Sequence, residues 1–165
     1  MFEKTFEETL LDAAFFTMAC DGDIASEEVA AIQVMANKSN LFGDLKVEEL
    51  LNVKVRKLNQ FGNLFINRFL KRLKNDSFSE NQKSILLKVV IEIIYSDQKV
   101  EYNEIRFFRN VQANIEASNE QVLGIDNTVS ELIGEEVFFN DNTADTKSQY
   151  FKDTENIEFD EIKFS

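Results

Sequence analysis

Apolar residues recur at spacings of three and four along most of the chain, the signature of helices with one buried stripe. Phe6, Leu10, Ala14 and Met18 mark a first helix that ends near Cys20, and a second starts around Ser26 with Val29, Ile32 and Met35 turned inward. Leu50, Leu51, Val55 and Leu58 predict a third; Leu64, Phe65, Phe69, Leu70 and Leu73 predict a fourth. Ser79, with Gln82 three residues on, has the form of a capping box opening the next helix. That helix, about 80–96, is apolar nearly all round (Ile85, Leu86, Leu87, Val89, Val90, Ile91, Ile93, Ile94), with only Ser84, Lys88 and Glu92 as a polar line. Such a helix belongs in the middle of a bundle. Its β-branched residues also suit a buried strand, but the length of the run favours helix. A further helix is predicted over about 102–115, with shorter pieces from Ser118 and from Asn127.

The chain has no proline and only five glycines, which suits helices, because proline in a helix interior costs about 3 kcal/mol. At 165 residues it fits one domain that buries about 70% of its unfolded surface. The expected fold is all-α: a compact bundle over residues 1–134, followed by an acidic, aromatic-spaced tail over 135–165. The acidic, polar N-terminus does not read as a signal peptide. The longest apolar run, Ala13 to Cys20, falls far short of the roughly 20 residues that span a bilayer. We therefore expect a cytoplasmic protein with no membrane insertion.

The residue types that are missing narrow the chemistry. Without histidine there is no Ser-His-Asp triad, no imidazole base and no His-ligated zinc. One cysteine, Cys20, allows neither an internal disulfide nor a thiolate zinc site, and its neighbour Asp21 works against a reactive thiolate. Cys20 is expected to be a small core residue, and the protein not to be an enzyme.

Charge is unevenly spread. Residues 46–74 carry eight bases against two acids, a net +6, while residues 135–165 carry nine acids against three bases, a net −6. A chain of net charge −12 repels phosphate at long range, so we expect no nucleic-acid partner. The basic stretch is read as a solvated face or a dock for acidic parts of the same chain. For the tail we expect Phe151, Phe159 and Phe164 as anchors, with Arg68, Lys71 and Arg72 facing its carboxylates.

The most informative local feature occurs twice, 76 residues apart. Met18-Ala-Cys-Asp-Gly-Asp-Ile-Ala-Ser-Glu-Glu-Val29 is matched by Ile94-Tyr-Ser-Asp-Gln-Lys-Val-Glu-Tyr-Asn-Glu-Ile105. Asp21 pairs with Asp97, Ile24 with Val100 and Glu28 with Glu104. Folding alone accounts for these types: an Asp stops a helix, an aliphatic plugs the turn, and a Glu at the third helical position caps the next helix. The same acids could instead supply oxygen ligands to a hard cation. An EF-hand does not fit, because its first two ligand positions would fall on Thr17 and Ala19, and on Ile93 and Tyr95.

The pattern Asp21-Gly22-x-Ile24-x-x-x-Glu28-x-x-x-Ile32, repeated as Tyr95-x-Asp97-x-x-Val100-x-x-x-Glu104-Ile105, resembles the TerB-like (tellurite-resistance) helical proteins over roughly residues 5–125. The second copy departs from it with Gln98 in place of Gly and with Lys99 beside Asp97. The resemblance implies a bundle of about seven or eight helices built from two related helix–turn–helix halves. It also implies acidic turn residues that bind divalent metal, and roles in stress response or membrane-associated complexes. Asp21, Asp23, Glu28, Asp97, Glu101 and Glu104 are the candidate ligands, for a weakly held calcium or magnesium ion or for a basic partner. Three readings stand: a non-catalytic TerB-like module, an interaction protein whose turns are only structural, and an enzyme built on a carboxylate-bound metal. The first leads, with a protein partner expected.

Overall fold

The computed structural model describes residues 4–126, Leu132, Tyr150 and 158–164. Seven helices occupy the described residues: α1 (Phe6–Ala19), α2 (Ser26–Lys38), α3 (Val47–Phe61), α4 (Asn63–Asn75), α5 (Glu80–Ile94), α6 (Tyr102–Asn114) and α7 (Asn119–Ile125). The run over 80–94 is helix, not strand. The helical piece expected from Asn127, the anchor Phe151 and the boundary at 134 lie outside the described residues.

Helix starts follow local hydrogen bonding. The Ser79 hydroxyl accepts from the Gln82 N–H at 3.1 Å and the Gln82 side chain accepts from the Ser79 N–H at 3.0 Å, so two otherwise orphaned donors are satisfied together. Thr5 and Glu8 close the same box at the start of α1, at 3.1 and 2.8 Å. Between α3 and α4 the chain breaks at a single residue, Gly62, with φ 58° and ψ −132°, a conformation that a side chain would strain.

α1 and α5 pack against each other at the centre, with α2, α3 and α6 also against α1, α7 against α5, and α4 resting on α3 and α6. A knot of phenyl rings joins them: Phe16 lies 4.9 Å from Phe65 and 5.1 Å from Phe69, ring centre to ring centre. Fully burying each such side chain contributes about 1.5–3 kcal/mol.

Two sequence expectations need correction. α1 is not one-sided: every residue from Thr9 to Ala19 is buried, including Asp12. Leu64 is half exposed, and the buried stripe of α4 runs through Ile66, Phe69, Leu70 and Leu73. The helix begins only at Asn63, and its inward line is counted from there, Asn63, Ile66, Leu70 and Leu73, a spacing of three, four and three.

Buried Asp12 is explained by its neighbours. Lys54 from α3 contacts its Oδ1; Arg72 Nη2 (3.0 Å) and Lys4 Nζ (3.3 Å) reach its Oδ2. Burial by itself would raise the Asp12 pKa, but the three cations outweigh it and hold the carboxyl below its usual range. Part of the basic stretch thus turns inward to serve one carboxylate.

Candidate acidic turn site

The two acidic turns share their local geometry. Gly22 and Gln98, 76 residues apart, both have positive φ, at 90° and 62°. The Asp21 carboxylate accepts from the Asp23 N–H at 3.1 Å, and Asp97 accepts from the Lys99 N–H at 3.0 Å. Glu28 reaches back to the Ala25 N–H and Glu104 to the Glu101 N–H, each at 2.9 Å. α2 and α6 are both 13 residues long and keep the same offset, as do the positive-φ residues Asn40 and Glu116 beyond them. Gly22 permits its conformation without cost, whereas Gln98 adopts it against its own side chain.

These turns also meet. The Asn103 amide donates to the Cys20 carbonyl at 3.1 Å, and Cys20 Sγ lies 3.6 Å from the Asn103 carbonyl, tying the end of α1 to the start of α6. Glu28 and Glu104 are each 1% exposed, and their buried carboxyls lie close enough to shift each other's titration. No N–H or hydroxyl reaches the buried Oε2 of either. Two carboxylates buried beside each other repel, and burial disfavours both charges, so the pair favours sharing one proton.

The electrostatics agree with that sharing. Burial pushes Glu28 up to about 9; the Ala25 N–H opposes this, and the Glu104 and Asp21 carboxylates add to it. Glu104 is raised by burial to about 7, helped by Asp21 and Asp97 and opposed by the Glu101 N–H and the Glu28 side chain. Half-buried Asp21 is pushed up to about 6 by burial, with Glu101 and Asp23 adding. Cys20 is fully buried, and burial with nearby Asp21, Glu104 and Glu28 raises its thiol well above the usual value. It is a core residue with a suppressed thiolate.

Of the six sequence candidates, then, the structure brings Glu28 and Glu104 into contact and sets Asp21 and Asp97 within electrostatic reach of them. Asp23 and Glu101 are exposed at the rim. Among the described residues no three acids are already arranged to hold a metal ion. The sequence pattern gave no sign that the two turns would face each other, nor that Asn103 would join them.

The C-terminal segment supplies residues the sequence reading missed. Tyr150 is buried, with its N–H donating to Asn63 at 2.9 Å, its hydroxyl bonded to the Asn110 amide, and Arg106 over its ring at 4.8 Å. Residues 158–164 lie along α3, where Arg56 pairs with Glu161 at 2.9 Å. Of the basic residues expected to face the tail, Arg72 is turned to Asp12 and Arg68 lies over the Phe61 ring, while most of the tail's carboxylates lie outside the described residues.

A family model described as tellurite resistance protein TerB matches residues 11–127. No curated protein and no solved structure matches the chain significantly.

Proposed function

The chain belongs to the tellurite resistance protein TerB family, and from that membership we propose that it is a non-catalytic TerB module whose two acidic turns work as one divalent-cation site. One observation carries the reading: the neighbouring Glu28 and Glu104 carboxyls each bury an Oε2 that has no hydrogen-bond partner. Two carboxyls in that position need a positive charge, which a proton supplies at low pH and a hard cation can supply at higher pH. Asp21 and Asp97, now held by their own turn N–H groups, would complete the oxygen set around an ion, and Asp23 and Glu101 would add negative field at the rim. When bound, the ion supplies charge and fixed geometry, and binding displaces the shared proton. The proposal extends to a stress-response setting, which the family's name supports, to a cytoplasmic location and to a protein partner. No helix among the described residues is long and apolar enough to cross a membrane.

A purely structural reading also has an observation behind it, because Glu28 and Glu104 already cap α2 and α6. Titrating chelator-stripped protein with calcium, magnesium and manganese separates the two. A site of about millimolar Kd stabilises by about 1.4 kcal/mol at about 10 mM ion. The expected result is a higher melting temperature at pH 8, much less at pH 5, with proton release on binding. An unchanged melting temperature with all three ions at pH 8 leaves capping as the whole role of the turns.

A further inference from the structure

The segment 158–164 is held on α3 in an unusual way. The Asn59 side chain donates to the Phe159 carbonyl at 2.9 Å and accepts from the Phe159 N–H at 2.7 Å. Two helical turns earlier, Asn52 does the same to Ile162, at 3.1 and 2.7 Å. Each amide thus imitates a neighbouring β-strand at one residue, using only backbone groups that any sequence offers. The spacings match: seven helical residues advance about 10.5 Å, and three extended residues about 10 Å.

Side chains supply the selectivity. Ile162 is buried, Phe159 and Phe164 pack against the core, and Glu161 meets Arg56 in an ion pair whose side chains are both more than half exposed. On its other side the segment faces the first turn and α2 across a cavity of about 680 Å³, which Ile24, Val29 and Gln33 line together with the segment.

We propose that the groove between α2 and α3 is a peptide-binding groove, occupied in the resting chain by its own residues 158–164, which yield to an extended acidic peptide from a partner protein. The ligand carries an aromatic and an aliphatic residue three apart with a carboxylate beside the aliphatic, as in Phe159-Asp-Glu-Ile162. Three features carry this. The clamp reads backbone, so it accepts another chain in the same register. The resident segment makes its polar contacts on partly exposed surface, where displacement is easy. α3 exposes Arg56 and Lys57 against three acids in 158–161, so an acidic strand is the complementary one.

The test uses the full chain and a fluorescein-labelled synthetic peptide of residues 156–164. A release variant, Phe159→Ala with Ile162→Ala, should bind the peptide, and the unaltered chain should bind it about tenfold more weakly, because its groove is open in a minority of molecules. Adding Asn52→Asp and Asn59→Asp to the release variant should abolish binding. A release variant that does not bind, or equal affinity for the two chains, overturns the proposal. Should the release variant fail to fold, hydrogen exchange on the unaltered chain decides the matter. Excess unlabelled peptide should speed exchange at the Phe159 and Ile162 amides and leave the α1 and α5 amides unchanged. Unaltered exchange at those two amides overturns it equally.

Discussion

Asp12→Ala is expected to cost about 3–5 kcal/mol of folding stability, the penalty of breaking a buried ion pair by removing one partner. Asp12 is 2% exposed in the middle of α1, and Lys54, which it contacts, is 8% exposed. Burial draws the Lys54 pKa below the ordinary lysine value and the Asp12 carboxylate pulls it back, so that carboxylate is what allows the ammonium to remain charged there. Without it, Lys54 must either deprotonate or find water, and Arg72 loses its contact at 3.0 Å. A domain of this size has about 5–15 kcal/mol in hand, so the variant should be largely unfolded near its normal melting temperature. Urea unfolding followed by circular dichroism measures the loss. Replacing both partners, Asp12→Leu with Lys54→Met, should recover most of it, because a well-packed apolar pair needs no charge compensation. A loss below about 1 kcal/mol in the single variant would mean that Lys54 is solvated and the pair is not structural.

This ion cluster also shows where sequence reading stops. The α5 helix, the Ser79 box and the capping role of Glu28 and Glu104 were legible because each rests on residues within one turn of each other. Asp12 was visible only as one acid in an apolar run; its three cations come from positions 4, 54 and 72, which no local period connects. The same holds for the acidic turns. Their repeated spacing was plain, but that Glu28 and Glu104 touch depends on α1 and α5 packing side by side, a fact of tertiary structure. On the C-terminal segment, attention to charge and aromatics picked out Phe159 and Phe164 but missed Ile162, Tyr150 and the asparagines. Amides that bind backbone leave no charge or hydropathy signal.

Stability is expected to fall as pH rises from about 5 to about 8, by roughly 2–4 kcal/mol, and Glu28→Gln should remove most of that slope. The sign follows from the raised carboxyl pKa values. An unfolded glutamate releases its proton near 4.5, whereas burial raises both Glu28 and Glu104, and the one proton the pair shares is kept up to about 9. Between those limits the folded chain holds more protons than the unfolded one, so raising the pH favours unfolding by about 1.4 kcal/mol per unit for each extra proton. The contribution is complete below 4.5 and is lost as pH climbs through the folded values. Asp12 works in the opposite sense. Its lowered pKa makes its contribution present above the unfolded value of 3.8 and lost as pH falls through the folded one, which places the stability maximum near pH 4. Glutamine at 28 keeps the shape of the site. Its carbonyl can still accept from the Ala25 N–H, and its amide can donate to the Glu104 carboxylate, which a deprotonated Glu28 cannot do. At pH 8 the variant should therefore melt higher than the unaltered chain, at pH 5 about the same, and it should lose the response to divalent ions because a proton-free carboxylate is gone. Melting curves at several pH values, with and without calcium, read all three effects. Parallel pH profiles for the two proteins would show that Glu28 and Glu104 titrate as ordinary separate carboxylates, and would remove the shared proton on which the cation site depends.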